Sequence, residues 1–387
     1  MLFRRIKSRD VGHQSYYVGD RGEALVVDPR RDIDVYLEQL ESTGQRLTAI
    51  VETHAHEDFV SGAAALSSVT GAAVRRSPII GSGFGESIED GEALRVGRMI
   101  LRAIETPGHT DGSMCFSLID TTTSHAPVMV FSGDTMLVGA TGRVDLSGRD
   151  QRAHMAGLLH DSIIDKLLRL GDGTLLMPAH GPGAAHQGRL ADRDQSSVGY
   201  ERLHTFMQYA ATRDEFIRKK VAENLLLPKY FESVRRLNRE GTAAVLTDVP
   251  TLTILRAEEV AEHLSSPETV VIDMREPDDF AEGHIPGSCN IVQEDLAARL
   301  GGVASRKTPL VLVVPKGTQD EGVMRTMMRL GHDRILGRLE GGVEAWRRTG
   351  GDVVRQRGAD MDAEGASPAR SSVRPILHRN RVSHVHS

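Results

Sequence analysis

Four apolar runs in the first half of the chain each lead into a polar residue that can bind a metal. The runs and their polar residues are 47–51 with His54, 100–104 with His109, 128–131 with Asp134, and 175–177 with His180. Short apolar runs bounded by turn residues predict buried β-strands. Loops at the strand ends of one rigid sheet can hold such side chains around a single ion. The pattern therefore predicts an α/β metalloenzyme.

The chain up to about residue 247 alternates strand-like and helix-like segments. The runs 16–18 and 24–27 flank a Gly-rich turn, which predicts a β-hairpin. Residues 33–42 have apolar positions at helical spacing and are expected to cover one face of a sheet. Residues 196–240 are helix-like and are expected to close this domain, so we place the first domain at residues 1–247.

A second, smaller α/β domain is predicted at residues 251–353. Residues 257–264 have a helical pattern, while 270–273 and 310–314 are continuous apolar runs typical of buried parallel strands. The last segment, residues 354–387, is rich in Ser, Arg, Ala and His and has few large apolar groups. Such a composition cannot bury enough surface to stay ordered, so we expect a disordered tail.

Composition narrows the class of protein. The formal charge of the 387-residue chain is −6, and its basic residues are scattered, which argues against a nucleic-acid partner. Two cysteines cannot form a disulfide framework, and the N-terminal residues lack the apolar stretch of a secretory signal. No segment approaches the roughly 20 apolar residues that span a bilayer, so no membrane partner is expected. We expect a soluble, cytoplasmic protein.

The grouping of polar residues, and not any one of them, indicates a metal site. A single histidine is more often a hydrogen-bonded structural residue than a ligand. His54, His109 and Asp134 together, each beyond a strand and beside Gly or another small residue, predict a metal site. His56 and Asp58 follow His54 at a spacing of two, so they share its face on an extended segment, or a tight loop aims them inward.

Four motifs in order resemble those of the metallo-β-lactamase fold over about residues 1–240. They are Thr53-His54-Ala55-His56-Glu57-Asp58, Pro107-Gly108-His109-Thr110, Ser132-Gly133-Asp134-Thr135 and Pro178-Ala179-His180-Gly181. The resemblance implies an αβ/βα sandwich with its metal at one edge between two sheets. In two-zinc hydrolases of this fold the first motif continues with a histidine that helps to bind a second metal. Phe59 stands at that position, and because its ring cannot bind a metal, we expect one ion.

One branch of this fold, the persulfide dioxygenases, uses the positions of His54, His109 and Asp134 to hold iron. Two histidines with one carboxylate are typical of non-haem Fe(II) oxygenases. The segment Gly142-Arg143-Val144-Asp145 also resembles that branch. The resemblance implies one Fe(II) per subunit, with zinc less expected. It also implies oxidation of a small thiol persulfide, such as glutathione persulfide, by O2 to sulfite and the free thiol.

Four further residues receive roles from this resemblance. His56, Asp58 and His180 are expected to orient the ligands through hydrogen bonds, or else to form a weak zinc site. Arg143 is expected either to be held by Asp145 or to face an anionic part of the substrate. The alternative for Arg143 is a plain surface salt bridge.

The second domain resembles a rhodanese without its nucleophile. The resemblance lies in residues 271–276, 280–288 and 339–346. A working rhodanese has a cysteine directly after its central strand, where backbone N–H groups stabilise the thiolate. Residues 315–321 follow the strand here and contain no cysteine, so we expect a non-catalytic domain. The two cysteines, Cys115 and Cys289, are expected to be small buried residues.

Two alternatives to the dioxygenase stay open. A zinc hydrolase of the glyoxalase II type, acting on a glutathione thioester, shares the fold but needs a two-metal site that Phe59 weakens. A non-catalytic sensor, or a protein that docks a sulfur carrier, would not require the intact ligand set. The expected partners are the persulfide and O2, with a homo-oligomer as the assembly.

Overall fold

The computed structural model describes residues 1–355 except residues 82, 185–189, 207–211, 224 and 226. The described residues form two compact units: Met1–Val249 with Met328–Gly331, and Pro250–Met327 with residues 332–355. The tail expected at residues 354–387 lies outside the described residues, apart from its first two. Among the described helices, none has the length and apolar character that a bilayer crossing requires.

Two six-stranded sheets form the centre of the first unit. The first sheet contains, in both chain and spatial order, β1 (Leu2–Ser8), β2 (His13–Asp20), β3 (Glu23–Val27), β4 (Arg46–Val51), β5 (Ala73–Arg76) and β6 (Glu86–Ser87). The following strands are β7 (Ala93–Val96), β8 (Met99–Glu105), β9 (Met114–Asp120), β10 (Met129–Gly133), β11 (Met136–Leu137), β12 (Ala140–Thr141), β13 (Leu175–Pro178) and β14 (Ser196–Ser197). The second sheet has the spatial order β14-β13-β10-β9-β8-β7, while β11 and β12 pair with each other. The expected hairpin is confirmed, because β2 pairs antiparallel with β3.

The apolar residues of the strands divide between three cores. Alternate residues of the two sheets meet in the central core, which includes Val18, Leu25, Val51, Leu101, Phe116 and Phe131. Helices α1 (Asp34–Thr43) and α2 (Ala63–Thr70) cover the outer face of the first sheet. Helix α3 (Arg152–Asp165) covers the outer face of the second. The layers are therefore helix, sheet, sheet and helix, which confirms the αβ/βα sandwich.

Helical segments complete the first unit, as expected for residues 196–240. They are α4 (Val198–Glu201), a π-helical turn (Arg202–Phe206), α5 (Arg213–Ala222) and α6 (Phe231–Glu240). Two parts of that range differ from the prediction: Ser196–Ser197 pairs with β13 as a strand, and residues 227–230 between α5 and α6 are not helical. Helix α6 buries Phe231, Val234 and Asn238 and ends at Gly241, whose left-handed backbone (φ 65°) suits glycine.

The second unit has a five-stranded parallel sheet. Its strands are β15 (Ile254–Leu255), β16 (Val270–Asp273), β17 (Cys289–Asn290), β18 (Leu310–Val313) and β19 (Ile335–Leu339), in the spatial order β15-β19-β18-β16-β17. Its helices are α7 (Ala257–Leu264), α8 (Pro277–Glu282), α9 (Leu296–Val303), α10 (Asp320–Leu330) and α11 (Gly342–Arg348). All four residues of β18 are buried, as expected for a central parallel strand covered on both faces. The predicted α/β domain with a parallel sheet is confirmed.

Four short 3-10 helices connect these elements within the residues that the structure describes. They are Pro78–Ile80, Arg149–Gln151, Leu167–Leu170 and Gln293–Asp295.

Candidate metal centre

Three of the four polar residues singled out in the sequence follow strands that run in the same direction. Strands β8 and β10 each pair antiparallel with β9, and β10 pairs parallel with β13, so these three strands share one direction. Their carboxyl ends lie at one edge of the second sheet and lead to His109, Asp134 and His180. Strand β4 of the first sheet leads to His54. The arrangement explains how residues far apart in sequence reach a single place.

His54, His109 and Asp134 converge as donors for one ion. Oδ2 of Asp134 lies 3.9 Å from Nε2 of His54 and 3.6 Å from Nε2 of His109. The ligand atoms of all three residues lie within 4.8 Å of one another, and all three side chains are buried. Two donors that are each about 2.1 Å from an ion lie between about 3.0 and 4.2 Å apart. The observed separations of the carboxylate oxygen from each imidazole therefore fit an ion held between them.

Hydrogen bonds at Nδ1 fix which nitrogen each histidine offers. Nδ1 of His109 lies 3.0 Å from the carbonyl oxygen of Arg143, which can only accept, so Nδ1 carries the proton. Nδ1 of His54 lies 2.9 Å from the hydroxyl of Thr53, and that hydroxyl donates to Asp28. Nε2 of both histidines has no hydrogen-bond partner in the part of the chain that the structure describes. Two buried Nε2 atoms that lack a hydrogen-bond partner among the described residues and lie near one carboxylate are the arrangement expected at a metal site.

The protonation states also suit metal binding. Burial, together with the neighbouring His56, lowers the pKa of His54 to about 3, so this imidazole is neutral. Burial alone would raise the pKa of Asp134. The charge and hydrogen bond of His180 outweigh that effect and hold the pKa of Asp134 below its ordinary value. Metal ligands must be deprotonated, and both residues meet that condition without a preceding proton loss.

His180 contacts two carboxylates, those of Asp134 and Asp58. Its Nδ1 lies 2.8 Å from Oδ1 of Asp134, and its Nε2 lies 3.1 Å from Oδ2 of Asp58. Burial works against a charged imidazole, but the two carboxylates raise the pKa of His180 well above its ordinary value. Nε2 of His56 lies 3.3 Å from Asp28. His56, Asp58 and His180 also place their ligand atoms within 4.8 Å of one another, so they form a second set that can hold a metal.

Arg143 is a buried residue, so its interpretation as a surface salt bridge is wrong. Its guanidinium forms two hydrogen bonds with Asp145, of 2.6 and 2.9 Å, and its side chain is fully buried. Its backbone carbonyl accepts the proton of His109, as described above. The Gly142-Arg143-Val144-Asp145 segment thus contacts the centre through its main chain. The guanidinium also lies over the ring of Phe231, 5.8 Å from its centroid.

Two glycines let the backbone pass close to the ligands. A Cβ on Gly142 would lie 2.0 Å from the carbonyl oxygen of Asp134. A Cβ on Gly108 would lie 2.3 Å from the backbone of Leu159, and the φ of Gly108, 141°, also favours glycine. Any larger residue at these two positions would displace His109 or Asp134 from the edge of the sheet.

Three residues of the centre were missed in the sequence. Asp28 follows β3 in the same way as the others follow their strands, so a signal was present; its φ of 48° is unusual for a residue other than glycine. The ring centroid of His13 lies 4.0 Å from that of Phe59, and no pattern in the sequence around His13 predicted this contact. Glu57 stands inside the first motif, and its carboxylate lies 3.7 Å from Nε2 of His109.

The fold and the centre together define a metal-binding protein built as an αβ/βα sandwich. Residues 8–180 match the Metallo-beta-lactamase superfamily, and residues 256–349 match the Rhodanese-like domain. The chain belongs to the metallo-beta-lactamase superfamily and carries a rhodanese-like domain after the metal-binding one.

Several relatives have names that refer to persulfide or glutathione chemistry. Human persulfide dioxygenase ETHE1 is 34% identical over 170 residues, which is 43% of this chain and 63% of the relative. The mouse protein of that name is 31% identical over 223 residues, 56% of this chain and 78% of the relative. Hydroxyacylglutathione hydrolase of a Polaromonas species is 32% identical over 165 residues, 42% and 58% of the two chains. The chain thus spans less than two thirds of the human relative's length.

Solved structures agree with the fold. ETHE1 from Myxococcus xanthus is 29% identical with a TM-score of 0.54, covering 62% of this chain and 99% of that one. A metallo-beta-lactamase from Staphylococcus aureus has a TM-score of 0.75 at 24% identity, covering 88% of this chain and 98% of that one. At that identity the second likeness concerns the fold alone.

Proposed function

We propose that this chain is a persulfide dioxygenase with one Fe(II) per subunit, held by His54, His109 and Asp134. The observation that carries the proposal is the pair of buried imidazoles whose Nε2 atoms have no hydrogen-bond partner among the described residues and lie close to one buried carboxylate. Two histidines with one carboxylate are the usual donors of non-haem Fe(II) oxygenases. The names of the human and mouse relatives support the reaction. Bound iron would supply the dioxygen chemistry that amino-acid side chains lack.

The overall reaction balances with one water. A thiol persulfide, O2 and water give the free thiol, sulfite and two protons. The outer sulfur loses four electrons and O2 gains four, so no further reductant is needed. In this proposal the protein binds the persulfide, keeps the reacting sulfur away from bulk water and orients the ligands.

Each neighbouring residue has a proposed task in this reaction. His180 holds Asp134 and Asp58 in place through its two ring nitrogens, and His56 is held by Asp28. Arg143 orients His109 through its carbonyl oxygen. The two hydrogen bonds between its guanidinium and Asp145 hold the segment from Gly142 to Asp145 in place beside His109. Glutathione persulfide is the substrate we propose first.

A two-metal thioester hydrolase is the second candidate. The second donor set, His56 with Asp58 and His180, favours it, as does the name of the Polaromonas relative. Against it, Phe59 takes the place of a histidine ligand, and both ring nitrogens of His180 already contact carboxylates. We therefore place this reaction after the dioxygenase.

The deciding experiment measures oxygen and sulfite together. Anaerobically purified protein is reconstituted with Fe(II), its metal content is determined, and glutathione persulfide is added in the presence of O2. We expect oxygen uptake matched by sulfite, with one iron per subunit. Iron-loaded protein that consumes no oxygen, but hydrolyses a glutathione thioester once loaded with zinc, would move the hydrolase to first place.

The rhodanese-like domain is proposed to be non-catalytic, since residues 315–321 contain no cysteine. A transfer assay from thiosulfate to cyanide tests this, and we expect no activity above that of buffer. Docking of a sulfur carrier, self-association into a homo-oligomer and a cytoplasmic location stay predictions.

A further inference from the structure

Glu57 brings a second carboxylate to the two histidines of the centre. Its Oε2 lies 3.9 Å from Nε2 of His54 and 3.7 Å from Nε2 of His109. The corresponding distances for Oδ2 of Asp134 are 3.9 and 3.6 Å. The same two nitrogen atoms are therefore approached equally closely by two carboxylates. All four separations fall inside the range of about 3.0 to 4.2 Å that two ligands of one ion can have.

The burial of Glu57 also favours a positive ion beside its carboxylate. Its side chain is fully buried, although glutamate is among the residues that are rarely removed from water without a balancing charge. A divalent ion beside the Nε2 atoms would bring two positive charges to this place. That charge would offset the cost of burying both Glu57 and Asp134.

The charge of Glu57 acts on Tyr230, which precedes helix α6, and on Arg235 within that helix. Burial, with the negative charges of Asp58 and Glu57, raises the pKa of Tyr230 above its ordinary value. The charge of Glu57 also acts on Arg235 of α6, whose pKa is lowered chiefly by burial. The carboxylate thus interacts electrostatically with both groups at the start of this helix.

We propose that Glu57 is a fourth protein ligand of the metal. The inference rests on the metal centre of the proposed function and goes beyond its three ligands. Two carboxylates would cancel the charge of a divalent ion, so the loaded centre would be neutral before substrate arrives. It would also have one open position fewer than a centre with two histidines and one carboxylate. The loop that spaces His54 and Glu57 three residues apart delivers both to one ion.

The test compares Glu57→Gln and Glu57→Ala with a matched control. Glutamine keeps the size of the side chain but removes its charge, whereas alanine removes the donor. The control is Glu201→Gln, because Glu201 is equally buried but accepts hydrogen bonds from Gly139 and Thr205 outside the centre. Two properties are measured without substrate: Fe(II) affinity by anaerobic chelator competition, and the visible ligand-field spectrum of bound Co(II). The melting temperature of each metal-free variant reports on folding.

We expect Fe(II) affinity to fall at least tenfold in Glu57→Ala and less in Glu57→Gln. The Co(II) bands of Glu57→Ala should intensify, because the loss of a ligand lowers the coordination number. Glu201→Gln should behave like the natural protein in both measurements. Unchanged affinity and spectrum in the Glu57 variants would overturn the inference while leaving the three-ligand centre intact. A lower affinity with an unchanged Co(II) spectrum would also overturn it, since Glu57 would then act through another residue. A natural protein that binds no metal would instead remove the proposed centre itself.

Discussion

Nδ1 of His180 lies 2.8 Å from Oδ1 of Asp134, so the last histidine of the motif set contacts a proposed ligand and not the proposed ion. Through its other nitrogen the same ring reaches Asp58. The hydrogen bond from His180 fixes the orientation of the Asp134 carboxylate. It also explains why a histidine that is remote in sequence accompanies the three donors.

Replacement of His180 by Ala should weaken metal binding without abolishing it. Loss of a partner that orients a ligand typically costs about 10- to 100-fold in metal affinity. Fe(II) titration against a chelator checks this value. His160→Ala is the control, because His160 lies on α3 and contacts Asp161 outside the centre. Equal affinity in His180→Ala and the natural protein would contradict the positioning role.

Replacement of Asp134 by Ala should remove metal and activity together. Asp134 is one of the two carboxylates proposed to hold the ion, and its loss would leave His54, His109 and Glu57 with one negative charge fewer for a divalent ion. Iron content after dialysis and oxygen uptake are measured on the same sample. Asp172→Ala is the control, because Asp172 is an exposed partner of Arg202. Retention of both iron and activity in Asp134→Ala would refute the assignment.

Replacement of Gly142 by Ala should destabilise the centre by overpacking. The new Cβ would meet the carbonyl oxygen of Asp134 at 2.0 Å, so the Asp134 loop would have to move. Overpacking of this kind costs about 1–3 kcal/mol of unfolding free energy, and we expect a matching loss of metal affinity. Gly173→Ala is the control, because no atom lies within 4 Å of the position of its Cβ. Urea unfolding and chelator competition measure both effects, and equal results for the two variants would exclude the close contact.

The two cysteines should react slowly in the folded protein. Burial raises the pKa of Cys115 to about 11, and burial also raises the pKa of Cys289. The thiolate is the reactive form, so a raised pKa slows alkylation. Iodoacetamide labelling followed by mass spectrometry should show modification mainly after unfolding in urea. Rapid labelling of Cys289 in the folded protein would identify a reactive thiol in the rhodanese-like domain.

His332 should make the unfolding free energy decrease in mild acid. Burial and the nearby Arg306 lower the pKa of His332 to about 4, whereas an unfolded histidine has a pKa of about 6.5. As the pH falls through this window the unfolded chain takes up a proton that the folded chain does not bind. The stability present above the unfolded pKa is therefore lost, by about 2 kcal/mol between about pH 7 and about pH 5.

The variant His332→Gln isolates this effect. Urea unfolding at the two pH values should show a smaller loss of unfolding free energy in the variant than in the natural protein. The same loss in both proteins would mean that another group carries the pH dependence.

Local patterns were sufficient to predict most of the fold. Each apolar run singled out as a strand before a ligand became one: β4, β8, β10 and β13. The hairpin of β2 and β3 and the helix α7 also agree with the prediction. These features depend on the order of neighbouring residues, because side-chain periodicity and turn chemistry act over short distances. The prediction differed from the structure at residues 196–197, where strand pairing with β13 overrode a helical pattern.

The sequence by itself determined which residues can bind a metal, because each donor stands in a recognisable motif after an apolar run. It also determined that residues 315–321 contain no cysteine. Only the tertiary structure decided that Arg143 is buried, that Asp28 and His13 belong to the centre, and which nitrogen of His54 and His109 is presented. Only the tertiary structure places the carboxylate of Glu57 about as close to the two imidazoles as the carboxylate of Asp134. These relationships join residues that are far apart in sequence, and only the pairing of strands within sheets and the packing of the two sheets set such distances.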